Sequence, residues 1–246
     1  MKLFCLFMGQ KKLIRFEAIK SFPNVLQYPP DMQGNWNGFF KNNHPLTLEL
    51  ACGKGEYTVG LARLYPNRNF IGIDLKGNRI YIGAKTCLAE GITNAAFLRS
   101  HIDKITDYFA PGEVQEIWLT FPDPQLRISR AKKRLTHPRF LRLYQQILAP
   151  GGTIHLKTDS PVLYRFTKRV IELYGLTLLE DLDNAYAAGT ISPELSIKTH
   201  YEGLDIAQSN RIHYLRFILP AHALPQLDGQ LQEDLKTTEH GAEGGD

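Results

Sequence analysis

The sequence predicts an α/β fold: a mostly parallel sheet of about seven strands, the last one antiparallel, with helices on both faces. From Leu46 onward, short β-branched and apolar runs alternate with amphipathic stretches of helical length, five times in about 130 residues, which is the pattern of repeated strand–helix crossovers. Right-handed crossovers then leave few topologies. The 246 residues, 43% hydrophobic and 22% charged, suffice for one such core with appendages. No apolar run comes near the roughly 18 residues that span a bilayer.

Residues 1–45 are basic and then rich in Pro, Asn and Gly (FPNVLQYPPDMQGNWNGFF), without sustained periodicity, and read as an N-terminal arm. The opening MKLFCLF is short and runs into bases rather than a small-residue cleavage site, unlike a secretory signal. Met8-Gly9-Gln10-Lys11-Lys12 reads as a natural start, so residues 1–7 are expected to be an upstream extension. Residues 46–220 form the predicted domain. LTLELAC leads to YTVGLARLY and NFIGIDL to NRIYIGAKTCLAE; then come AAFLRS, EIWLTF with HPRFLRLYQQIL, and GTIHLKT with PVLYRFTKRVIELY. The runs LTLLEDL (176–182) and IHYLRFIL (212–219) flank a polar insertion with no convincing helix, so the last strand is expected to return antiparallel. Residues 221–246 end in HGAEGGD and read as an acidic, disordered tail.

The net charge of +4 hides an asymmetry. Residues 221–246 hold six acids against Lys236 alone, so the rest of the chain carries +9, and clustered positive charge points to a polyanionic partner, nucleic acid first. Cys5, Cys52 and Cys87 are odd in number and form no CxxC pair; they read as reduced thiols of a cytoplasmic protein. The histidines lack HxxxH or HxE spacing, and no metal is expected.

In an open α/β sheet, ligands bind beyond the carboxyl ends of the strands. At the first such end, Glu49-Leu50-Ala51-Cys52-Gly53-Lys54-Gly55-Glu56, the glycines 53 and 55 allow a tight turn. The third glycine of a dinucleotide turn is missing. Glu49 suits a cationic cofactor such as S-adenosylmethionine, with its sulfonium and ammonium, better than a pyrophosphate. Asp74 ends the next strand about 20 residues on, where a carboxylate accepts ribose hydroxyls. Asp123 is fixed between two prolines after EIWLTF, and Asp159 closes GTIHLKTD. Taken singly, these admit plainer readings as a strand-to-helix turn, helix caps at Asp74 and Asp159, and a proline turn. From Arg127 to Arg142 there are seven bases and no acid. Within that run Arg130, Lys132, Lys133 and Arg134 are read as a grip on an RNA backbone.

Together, LELACGKGE, FIGID, FPDP with the following KKRLTHPRFL, GGTIHLKTD and Thr199-His200-Tyr201-Glu202 resemble the tRNA (guanine-N7)-methyltransferase family of class I, Rossmann-like methyltransferases. The resemblance covers about residues 10–219, in the family's order and spacing. It implies transfer of a methyl group from S-adenosylmethionine to N7 of a guanosine in the tRNA variable loop. It implies that Glu49, Gly53, Gly55 and Asp74 bind the cofactor and that Asp123, the catalytic residue, stands at the junction of cofactor and target base. Arg127, Asp159, Thr199, His200, Tyr201 and Glu202 are implied to contact the tRNA. Three positions depart from the pattern: His101, assigned to the cofactor, stands where the family usually has an acid or Asn; Gln125 replaces a Trp; Arg127 replaces a Lys, which keeps charge and changes geometry. Rival readings are a class I methyltransferase for another RNA base, a protein or a small molecule, and an RNA-binding protein that has lost the cofactor. The intact Glu49, Gly53, Gly55 and Asp74 set disfavours the last.

Overall fold

The computed structural model describes residues 12–243 except 188, 190, 201, 205, 207 and 209, with backbone alone beyond 237. The start at Met8 and the side chain of Tyr201 therefore lie outside the described residues. Helix α1 (12–18), strand β1 (Val25–Gln27) and helix α2 (Trp36–Phe40) precede the alternating segment. That segment runs β2 (Leu46–Leu50), α3 (Glu56–Leu64), β3 (Asn69–Asp74), α4 (Gly77–Glu90), β4 (Ala95–Arg99), β5 (Val114–Thr120), α5 (Pro138–Ile147), β6 (Leu148–Thr158), α6 (Pro161–Leu173), β7 (Thr177–Leu182) and β8 (His213–Ile218). Helix α7 (Asp228–Glu243) closes the chain.

All eight strands form one sheet in the order β1-β4-β3-β2-β5-β6-β8-β7. The pairings from β1 to β6 are parallel, and β8 returns antiparallel to both β6 and β7, as the last strand was expected to do. Side chains alternate between two cores, as the twofold period of a strand requires. Leu48, Ile71, Leu98 and Ile117 face the core beneath α5 and α6, whereas Phe70, Phe97 and Trp118 face the core beneath α3 and α4. Every residue of β2 and β3 is buried, the mark of parallel strands covered on both faces. Pro138 and Pro161 start α5 and α6 behind the caps His137 and Ser160, whose side chains accept the Arg139 and Leu163 amides.

Two expectations are corrected. The arm is part of the fold: β1 pairs in register with β4, Val25 opposite Phe97, and Trp36 is buried, stacked 5.3 Å from Phe109 with its indole N–H donated to the Tyr108 carbonyl at 2.9 Å. A three-residue strand is too short to show a period, which is why the sheet has eight strands rather than seven. The tail likewise belongs to the fold, its helix α7 running over Asp228–Glu243. Leu224 and Leu231 are buried, with Leu227 and Leu235 packed beside them; Leu231 and Leu235, four apart, share one face of α7, and Leu224 and Leu227 pack from the segment leading into it. Asp228 pairs with Arg142 at 2.6 Å and accepts the Tyr174 hydroxyl at 2.7 Å, while Asp234 pairs with Arg169 at 2.6 Å. Two of the tail's six acids are thus paired with the body's own bases.

Among the described residues no helix is long and apolar enough to cross a membrane. Leu231→Ala is expected to cost about 2–4 kcal/mol in urea unfolding; a change within about 0.5 kcal/mol, the range of an exposed position, would contradict the docked helix.

Candidate active site

The strand order reverses between β2 and β5, so the crossovers leave in opposite directions and the carboxyl tips of these two strands open side by side. Both tips turn through a non-glycine residue in the left-handed region, Ala51 at φ 59° and Phe121 at φ 47°. Each turn is tied to the neighbouring strand: Cys52 donates its amide to the Ile73 carbonyl at 3.0 Å, and Phe121 donates to the Lys157 carbonyl at 2.8 Å.

After Ala51 the chain continues through Gly53 and Gly55, at φ 57° and 73°, into α3. Asp74, at the tip of β3, accepts the Gly53 amide at 2.9 Å through one oxygen and the Lys76 amide at 2.8 Å through the other. The glycine at 55 also answers to packing, since a Cβ there would sit 2.4 Å from the ring of Phe97. Gly72 and Gly83 approach the same ring, at 2.9 and 2.6 Å for an added Cβ. Three glycines from α3's cap, β3 and α4 therefore close on one phenylalanine.

Glu49 lies under this turn, 3% exposed. One oxygen accepts the Thr120 hydroxyl at 2.6 Å; the other accepts the Thr58 amide at 2.8 Å and the Thr58 hydroxyl. It joins β2, β5 and the first turn of α3. Burial pushes its carboxyl up to about 7, against the opposing pull of those hydrogen bonds.

Past Phe121, the Asp123 side chain accepts the amide of Gln125 at 3.0 Å, and Gln125 itself sits at φ 46°. Asp123 is exposed. The turn is held from behind by Arg134, which donates Nε to the Pro124 carbonyl and Nη2 to the Gln125 carbonyl, both at 3.1 Å, with its guanidinium 4.5 Å from the centre of the Phe166 ring. Arg134 is 1% exposed, which corrects its reading as a phosphate contact. Arg139 pairs with Asp103 and Arg142 with Asp228. Arg127, Arg130, Lys132 and Lys133 are exposed, as is Arg139 beside its partner Asp103.

A cleft of about 500 Å³ opens over these tips, lined by Asp74, Lys76, Phe121, Asp123, Asp159 and Ile206 among others. Of the residues singled out in the sequence, it joins Asp74, Asp123 and Asp159, with Glu49 and the glycine turn beneath and Arg127 outside on the following segment. His101 is exposed after β4, one strand beyond Asp74, and does not line the cleft. Nor do Thr199, which is buried and accepts the Glu202 amide at 3.2 Å, or the exposed His200. Glu202 turns inward, 3.0 Å from Lys157 and bonded to the Tyr186 hydroxyl. The sequence reading missed the inward turn of Arg134, because a base in a basic run looks the same whichever way it points, and the role of Lys157, because its partners lie 38 to 45 residues away. Among the described residues no group of three or more His, Cys, Asp or Glu is placed to hold a metal ion.

Residues 43–215 match the family model described as "Putative methyltransferase". A protein of Porphyromonas gingivalis named tRNA (guanine-N(7)-)-methyltransferase is 48% identical, over 81% of this chain and 86% of its own length. One of the same name from Bacteroides thetaiotaomicron is 44% identical, over 89% and 90%. The chain belongs to the tRNA (guanine-N7)-methyltransferase family. The family relationship reaches Bacillus subtilis, whose protein of that name is 35% identical over 71% of this chain and 83% of its own. Among solved structures, the 16S rRNA methyltransferase KamB is 16% identical with a TM-score of 0.58, covering 76% of this chain and 94% of that one. The 16S rRNA (adenine(1408)-N(1))-methyltransferase of Catenulisporales acidiphilia is 14% identical with a TM-score of 0.55, covering 80% and 96%. These two share the fold with the family.

Between pH 4.5 and about 7 native Glu49 keeps a proton that the unfolded chain releases, so its contribution to stability falls as pH rises through that window. Glu49→Gln cannot titrate. The stability of the wild type relative to this variant should therefore decline across the window in urea unfolding; a constant difference would contradict the raised value.

Proposed function

We propose that this protein methylates N7 of a guanosine in the variable loop of tRNA, in the cytoplasm, with S-adenosylmethionine as donor. The observation that carries this reading is the meeting of Asp74, Asp123 and Asp159 in one cleft, beside four outward bases, in a chain of this family. The residues suit the donor: three carboxylates answer its sulfonium and ammonium charges, and the Gly53–Gly55 turn is bonded to Asp74 at the carboxyl tip of β3, where adenosine riboses bind in such folds. In this reading Asp74, Gly53 and Gly55 hold the donor, with Glu49 supporting the turn from below and His101, outside the cleft, taking no part. When bound, S-adenosylmethionine supplies an electrophilic methyl group.

Guanine N7 presents a lone pair and carries no proton, so the cleft needs no general base. Its carboxylates serve instead to orient the base and to favour the positive charge that methylation leaves on the purine. Asp123 and Asp159 accept hydrogen bonds from guanine N1 and N2, and Arg127 engages the adjoining nucleotide. The target must leave its stack to enter, while Arg130, Lys132 and Lys133 hold the phosphates around it.

Mapping N7-methylguanosine in tRNA incubated with protein and S-adenosylmethionine tests the reading directly; a methyl group found at another base, or none, overturns it. Asp123→Ala should lower turnover by about 100-fold or more. Asp123→Asn, which keeps the acceptor for the Gln125 amide, should fall nearly as far, with tRNA retention largely intact in both. Near-normal turnover would remove Asp123 from the chemistry. Changing Arg130, Lys132 and Lys133 together to Ala should lower the salt slope of tRNA binding by about two and leave donor affinity unchanged. An unaltered slope would exclude the phosphate grip.

A further inference from the structure

Lys157 is the penultimate residue of β6, two positions before Asp159, and its side chain is completely buried. An ammonium has three hydrogens to donate. Here they meet the Leu195 carbonyl at 2.9 Å, the Ile197 carbonyl at 2.9 Å and a carboxylate oxygen of Glu202 at 3.0 Å. All three partners come from the insertion between β7 and β8. The rings of Tyr57, Phe121 and Tyr186 surround the charge, with centroids at 5.5, 5.7 and 5.5 Å. The backbone of the same residue accepts the Phe121 amide. One residue thus grips the start of the Asp123 turn with its main chain and the insertion with its side chain.

The same stretch of insertion is pinned from α3. Tyr57 donates its hydroxyl to the Glu194 carbonyl at 2.6 Å. Ile197 seats in the notch left by Gly60, where a Cβ would come within 2.8 Å of it. Four residues after Glu202, Ile206 reaches the cleft wall. Stability alone gives little reason for a buried ion pair in a cage of rings, since apolar side chains of similar volume commonly hold such a site as well or better. What a lysine adds is direction, because it fixes three acceptors at set distances from one point.

We propose that Lys157 is a positioning residue that locks the insertion to the Asp123 turn, so that the target guanine meets a preformed wall, and that Glu202 serves the reaction through Lys157 rather than by touching the base. This rests on the tRNA-methylation reading above. The consequence is a shared function: removing either partner releases the same latch.

The test uses Lys157→Met, Glu202→Gln and the double variant, with three measurements: kcat and KM for tRNA, calorimetric affinity for S-adenosylmethionine, and amide hydrogen exchange of residues 193–204. Each single variant is expected to lose about 30-fold in kcat/KM for tRNA, keep donor affinity within about threefold, and exchange faster in that peptide, with the double variant no worse than either. A Lys157→Met protein within about threefold of the wild type in kcat/KM overturns the proposal, as do losses that multiply in the double variant. If Lys157→Met does not fold, Glu202→Gln alone decides: turnover lost with exchange unchanged means that Glu202 acts directly on the base and the proposal fails. If the wild type makes no N7-methylguanosine, the functional reading falls by itself, and exchange of residues 193–204 in the variants still supports or overturns the latch.

Discussion

The division of the sheet between β2 and β5 is the constraint on which the rest depends. Because the chain leaves these neighbouring strands in opposite directions, nothing crosses above their tips, and each tip must turn away at once. Both turns use a side-chain-bearing residue in the left-handed region, Ala51 and Phe121. Such conformations cost about 1–3 kcal/mol each and persist where the surroundings over-determine them. The surroundings here are specific: Asp74 on the glycine turn, and Arg134 with Lys157 on the Asp123 turn. The polar groups nearest the cleft and those holding its floor are therefore different sets, and Arg134 and Lys157 belong to the second.

Much of this was legible in the sequence, for identifiable reasons. Strand and helix periods were clear from Leu46 to Tyr174, where runs are long enough to repeat. Asp74, Asp123 and Asp159 were legible because each ends a strand-like run and two are flanked by proline or followed closely by one. What was not legible depends on contacts distant in the chain. Val25–Gln27 becomes a strand only because β4 lies beside it. The leucines of α7 do carry a helical spacing, but the polar, glycine-rich end that follows them obscured it. Glu202 finds Lys157 across 45 residues, and no local pattern announces such a pair.

The basic run shows how far composition misleads when orientation is unknown. Seven bases without an acid look like one surface, yet three of them are committed to partners within the protein: Arg134 to carbonyls, Arg139 to Asp103 and Arg142 to the closing helix. The other four, all exposed, sit on the short segment just past the Asp123 turn. A nucleic acid held there would be delivered to the cleft over a distance of only a few residues. Asp228 and Leu231 of α7 line a small cavity together with Ile128, Ala131 and Lys132 of this segment.

The ring of Phe97, met by glycines 55, 72 and 83, works as a gauge block for the donor side of the cleft. At this ring α3 and α4 approach the sheet as closely as the thickness of one aromatic side chain allows, beside the polar tie of Glu49 to Thr58. A change of size at position 97 is therefore felt at the cap of α3 and at β3 together, without any substitution in the cleft itself. A larger side chain at any of the three glycines would have to displace this ring, so the buried packing restricts these positions as firmly as the cleft restricts its own residues.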